Sequence, residues 1–132
     1  MTTAESRAFI QRYAEALSGK AKPASVVNQY VADSDEALKQ HIADAEAAFP
    51  RYKLIAEDLI AEGDKAVVRF MLHATHQGEF MGMPPTNRAV SIGSINFLHC
   101  VDGQIVEQWI DYDGLGMLQQ LGAVPMPQPA TV

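Results

Sequence analysis

The sequence predicts an α+β domain with helices first and an antiparallel sheet second, and three observations predict it. Up to Pro50, apolar side chains recur at helical spacing. Beyond it, β-branched and aromatic residues recur in runs. Those runs are separated by Gly63-Asp64 and Asp102-Gly103, two dipeptides suited to tight hairpins. Helices followed by a strongly bent sheet place the helices over one concave face.

Residues 5 to 18 carry Phe9, Ile10, Tyr13, Ala16 and Leu17 on one helical stripe, after a Thr2-x-x-Glu5 pair that can form a capping box. Gly19 ends this helix. Pro23 and Ser25 open a short second helix with Val26, Val27, Tyr30 and Val31, and Asp33 or Ser34 caps a third. The third buries Leu38, Ile42, Ala45 and Phe49, and Pro50 stops it; its acids Asp35, Glu36, Asp44 and Glu46 are expected on a solvated face. Four strands are expected over 52–61, 65–77, 88–100 and 104–112, forming a meander, with the Gly- and Pro-containing segment GEFMGMPPTN as an ordered loop between the second and third. A short helix over Gly114–Leu121 follows. Residues 1–125 are read as one domain and 126–132 as a flexible Pro-rich tail.

A chain of 132 residues buries a sizeable core without metal or disulfide staples. Cys100 has no second cysteine to pair with and reads as a thiol in a reducing cytoplasm; one Cys and four scattered His make no zinc site. The opening MTTAESRAFIQRY lacks the pattern of a secretory signal, and no stretch approaches the roughly 18 apolar residues of a membrane span. A soluble, unexported protein is expected. The formal net charge of −6 argues against nucleic-acid or anionic-membrane partners, which need clustered Lys and Arg.

The segments HQGEFMGMPPTNR and VDGQIVEQWIDYDGLGMLQQLGAVP, with FPRYKLIAEDLIAEGDKAVVRF before them, carry His76, Gly78, Gly82, Pro84-Pro85-Thr86, Asp102-Gly103, Trp109 and Leu118-x-x-Leu121-Gly122. In this combination the chain, from Phe49 to Pro125, resembles the SnoaL-like polyketide cyclases of the nuclear transport factor 2-like superfamily. The resemblance implies a cone-shaped (cystatin-like) fold in which a curved antiparallel sheet and the N-terminal helices enclose a deep pocket, and a homodimer paired through the sheets. It also implies intramolecular aldol chemistry on an aromatic polyketide ester, by an Asp acid/base with no metal or cofactor. In an ungapped alignment through Gly103, Gly116 and Leu121-Gly122, the family's catalytic Asp falls on Ile110, its assisting His on Asn96 and a polar partner on Ser94.

The nearest carboxylates, Asp111 and Asp113, are therefore the acid/base candidates on the last strand. Asp111 shares a parity with Ile105, Glu107 and Trp109, the outer or dimer-facing side, and reaches position 110's side only through a bulge. Asp113 before Gly114 also reads as a helix N-cap. His76 ends an apolar strand face shared with Val68, Phe70, Leu72 and Ala74, which faces core or pocket; it is a candidate acid/base, or a group that holds the backbone of the following loop.

Gln108, Ile110 and Tyr112 share the face with Val106 that the family alignment turns toward the pocket, and Ser94 and Asn96 lie among apolar residues of a central strand. A buried amide without a partner costs about 1 to 3 kcal/mol. Asn96 therefore bonds either a ligand at the pocket floor or a neighbour across the sheet. The expected ligand is a small aromatic or polyketide-like compound, bound with acid-base chemistry beside a carbonyl; the alternative is a binding or dimeric interaction module without catalysis. Met71, Met81, Met83 and Met117 suit either an adaptable apolar mouth or a plain core.

Overall fold

The computed structural model describes residues 1–125; the tail expected over 126–132 lies outside the described residues. Helix α1 (Thr3–Leu17) begins with the expected capping box, in which Thr2 Oγ1 accepts from Glu5 N at 3.1 Å and Glu5 Oε1 accepts from Thr2 N at 2.9 Å. Its buried stripe is Phe9, Ile10, Tyr13, Ala14 and Leu17, with Ser6 buried beside it. The Ser6 hydroxyl donates to Gly63 O at 2.6 Å and Arg7 Nη2 donates to Leu59 O at 2.9 Å. These bonds tie the helix to the first hairpin. Gly19 then adopts a left-handed φ of 69°, a conformation glycine reaches without Cβ strain.

After α2 (Ala24–Tyr30), Ala32 N donates to Ile105 O at 2.9 Å, which brings the start of α3 (Glu36–Ala48) against the sheet. The cap of α3 is Asp35, where Asp33 or Ser34 was expected: Asp35 Oδ1 accepts from Leu38 N at 3.1 Å. Asp33 is instead exposed and pairs with Lys39 at 2.7 Å. A turn bond from Asp35 N to Ala32 O carries the chain past Asp33 and Ser34 before the helix starts.

The strands are β1 (Lys53–Glu62), β2 (Lys65–Thr75), β3 (Ala89–Val101) and β4 (Gln104–Tyr112), each antiparallel to the next in the order β1-β2-β3-β4. This is the expected meander. Alternation along β2 and β3 sends Ala66, Val68, Phe70, Val90, Ile92, Ser94, Asn96, Leu98 and Cys100 inward beneath the helices. Burial pushes the Cys100 thiol up to about 11, so it stays protonated.

Each edge strand holds one unpaired residue, Glu57 in β1 and Val106 in β4. The second bulge changes an expectation. Ile105, assigned by simple alternation to the outer face with Asp111, pairs with Cys100 and is fully buried, because Val106 shifts the parity.

The loop between β2 and β3 is held by His76 N to Arg88 O at 3.0 Å, by Asn87 N to His76 O at 2.9 Å, and by Gln77 N and Gly78 N to Ala48 O at 3.1 and 3.0 Å. Helix α4 (Gly114–Leu121) then returns over the inner face, burying Met117 and Leu121. Gln120 clamps it to β3 where β4 has ended: Gln120 Oε1 accepts from Ser91 N at 2.8 Å and its Nε2 donates to Ser91 O at 2.9 Å.

A Cβ on Gly78 would overlap the Ala47 carbonyl at the end of α3. Gly78→Ala must therefore separate the loop from α3, and we expect a loss of about 2 kcal/mol in guanidinium unfolding. A loss below about 0.5 kcal/mol would mean that the loop is not packed as described.

Candidate ligand cavity

Between the helices and the inner face of the sheet lies a partly open cavity of about 290 Å³. Its floor is Phe70 and Leu72 of β2, Ile92, Ser94 and Asn96 of β3, and Ile110 and Tyr112 of β4. Leu38, Ile42 and Ala45 of α3 form the opposite wall, with Tyr13 from α1 and Tyr52 just before β1. Phe80, Met81 and Met117 border it from the β2–β3 loop and α4. The lining is mainly apolar with a few polar groups, the usual composition of a small-molecule site.

On the floor, Asn96 Nδ2 donates to Ser94 Oγ at 3.0 Å, which satisfies part of this buried polar pair within β3 itself. Ile110 pairs with Asn96 and Tyr112 with Ser94 across the β3–β4 ladder, so the four side chains share one patch. Of the sequence-derived ligand candidates, Phe70, Ser94, Asn96, Ile110 and Tyr112 line the cavity. Gln108 does not: it lies one pair further along β4, opposite Leu98, and its Nε2 is 3.5 Å from Asp35 Oδ1 under the start of α3.

The three acid/base candidates lie outside the cavity lining. Asp111 pairs with Ile95 on the outer face and is exposed, because the bulge at Val106 precedes it and leaves the parity beyond unchanged. Asp113 caps α4, accepting from Gly116 N at 2.9 Å, and any Cβ on Gly116 would collide with that carboxylate. His76 is fully buried against Phe49, ring centroids 5.5 Å apart, and its Nδ1 accepts from Thr86 N at 3.2 Å with Thr86 Oγ1 at 3.0 Å. That bond leaves the proton of the neutral ring on Nε2, which has no partner among the described residues.

Sequence reasoning missed four polar groups of the cavity. Tyr13 and Tyr52 were hidden because a phenol on an apolar stripe reads as core. His41 and Asp44, one helical turn apart on α3, stand among the lining residues. His41 is open at its surface, yet enough protein surrounds its ring to lower its pKa, which Asp44 opposes. The acids of α3 thus do not share a solvated face: Asp35 is buried at the cap, Asp44 borders the cavity, and Glu46 holds the buried Lys22 ammonium at 2.8 Å.

Burial lowers the Lys22 pKa and Glu46 opposes that shift. The ammonium also sits 3.8 Å from the centroid of the Tyr52 ring.

Ile110→Asp would place a carboxylate on the apolar floor beside Asn96. Desolvation raises its folded-state pKa above the unfolded value of about 3.9. A raised carboxyl pKa costs nothing extra while the group is protonated in both states and progressively more once the unfolded chain ionises. The deficit relative to the parent should therefore be smallest near about pH 4 and grow by about 1 to 3 kcal/mol toward neutrality in urea unfolding. An unchanging deficit would place position 110 in water.

The profile of the SnoaL-like polyketide cyclases matches residues 7–121. Aklanonic acid methyl ester cyclase AcmA of Streptomyces galilaeus is 44% identical over 62 residues, 46% of this chain and 41% of that enzyme. Nogalonic acid methyl ester cyclase of Streptomyces nogalater is 32% identical over 90 residues, 66% of each chain. The matched stretches thus span less than two thirds of these relatives. Among solved structures, AclR from S. galilaeus superposes with a TM-score of 0.82 at 28% identity, covering 96% of this chain and 87% of that one. TsrD from Streptomyces laurentii has a TM-score of 0.75 at 24% identity, covering 94% and 99%, a likeness of fold alone. With its helices closed over a curved four-stranded sheet and the family profile spanning 7–121, the chain belongs to the SnoaL-like polyketide cyclase family.

Proposed function

We propose that the cavity binds a small aromatic or polyketide-like ester and that cofactor-free acid-base chemistry beside a carbonyl takes place there. The supporting observation is the cavity itself: a partly open, mainly apolar space with polar groups on opposing walls, in a chain similar to cyclases of aklanonic acid methyl ester and nogalonic acid methyl ester. About 290 Å³ lies at the small end of the range of small-molecule sites. Such a shape holds a flexible chain folded for ring closure, and proximity supplies much of the rate gain.

One observation favours binding without catalysis. Ile110 occupies the place where the resemblance implies a catalytic Asp, while Asp111 and Asp113 lie off the cavity. Among the described residues, the carboxylate that borders the cavity is Asp44. Incubation with nogalonic acid methyl ester, followed by chromatography, separates the two readings: ring-closed product abolished by Asp44→Asn supports the enzyme, and ester recovered unchanged from a measurable complex supports the binding module. Ala45→Trp, filling the wall, should weaken binding more than about tenfold in calorimetry. Unaltered affinity in that variant would exclude the cavity as the binding site.

A homodimer through the outer sheet face belongs to the same reading. Ile60 (65% exposed), Ile95 (50%) and Trp109 (56%) stand there, with Phe97 edge-on to Trp109 at 5.4 Å. Sedimentation should give a dimer that Trp109→Glu converts to monomer; an unchanged mass would place the pairing surface elsewhere. No helix among the described residues is long and apolar enough to cross a membrane. A cytoplasmic site of action belongs to the same reading, and the buried, unpaired thiol of Cys100 supports it.

A further inference from the structure

We propose that Tyr13 and Tyr52 are a pair of hydrogen-bond donors that hold an acceptor oxygen of the ligand, a carbonyl or enolate, against the helix-side wall of the cavity. The inference rests on the ligand-cavity reading and adds the chemistry of one ligand atom.

Both phenols are buried, both line the cavity, and they come from different elements. Among the described residues neither hydroxyl has a hydrogen-bond partner. Neither is sealed in, as Asp35 Oδ2 and His76 Nε2 are: each hydroxyl keeps some accessible surface on a residue that lines the cavity. A buried phenol hydroxyl normally finds a partner, and two that lack one at the same cavity suit an oxygen brought by the ligand.

Both groups remain donors across the working pH range. Burial raises the Tyr13 pKa, and the nearby negative charge of Asp35 adds to it. Burial, then Tyr13 and Glu46, raises that of Tyr52.

Tyr52 is also held in place. Its carbonyl accepts from Gly19 N at 2.9 Å and from Lys22 Nζ at 3.3 Å. The Lys22 ammonium, gripped by Glu46, lies over its ring and draws electron density from it, which strengthens the O–H as a donor. On the facing floor Asn96 donates to Ser94 and Tyr112, the third phenol of the lining, is 48% exposed, so Tyr13 and Tyr52 are the lining phenols that are both buried and without a partner among the described residues.

The test compares 1-tetralone, which has one acceptor oxygen and no donor, with tetralin, which has neither. Calorimetric titration of the full chain is repeated with Tyr13→Phe, Tyr52→Phe and the double variant. Each change removes only an oxygen, so unchanged tetralin affinity reports an intact cavity. We expect tetralin to bind all four proteins within about twofold, and 1-tetralone to lose up to about tenfold per phenol removed. Tetralin binding with 1-tetralone affinities indifferent to both substitutions would overturn the donor pair and leave the ligand cavity standing. Wild-type protein that binds neither compound would overturn both.

Discussion

Two single-residue bulges in the edge strands govern what the inner face of the sheet presents. Leu54 and Leu59 of β1 are five residues apart, an odd spacing that strict alternation would send to opposite faces, yet both are buried because Glu57 is left unpaired between them. In β4, Val106 likewise turns both the buried Ile105 and the partly buried Ile110 inward. A bulge also increases local twist and bends its strand. With one in each edge strand, the sheet can curl around the helices while both edges still offer apolar side chains to the interior. Had β4 run without its bulge, burying Ile105 would have turned Asp111 inward and Ile110 out.

The cavity follows from that curvature combined with where the helices are anchored. α1 is bonded through Ser6 and Arg7 to the first hairpin, α3 is met at its start by Gln108 and at its end by the loop at Gly78, and α4 is clamped through Gln120 to β3. Each helix is tied at the periphery. The middle of the inner face is left to side chains of unequal length, and close packing is not reached in the space that Ala45, Ile110 and Asn96 all line. The polar groups there then take roles by their partners: Ser94 and Asn96 bond each other, while the two buried phenols, Tyr13 and Tyr52, have no partner among the described residues.

Several features were legible because they are local. Periodicity marks the helices, runs bounded by Gly63-Asp64 and Asp102-Gly103 mark the strands, and alternation along β2 and β3 places Phe70, Ser94 and Asn96 on the buried side. The family resemblance extended this to β4, where it brought Ile110 and Tyr112 to the cavity. Gln108 has the same parity and still misses it, because distance along a strand decides which part of a face lies under α3's cap and which under its middle. Asp35 was read as a surface acid because charge is the visible property of an aspartate and its bond to Leu38 N is not.

The sequence by itself determined the order of elements, the α1 capping box, the hairpin positions and the inward parity of the two central strands. Each depends on neighbours within a few residues or on strict alternation. Tertiary structure alone decided that Ile105 enters the core, that His76 is held by Thr86 away from the cavity, and that Tyr13, Tyr52 and Asp44 converge on one space. Those outcomes depend on bulges and on helices crossing a curved sheet, and such geometry relates residues whose separation in the chain carries no periodic signal.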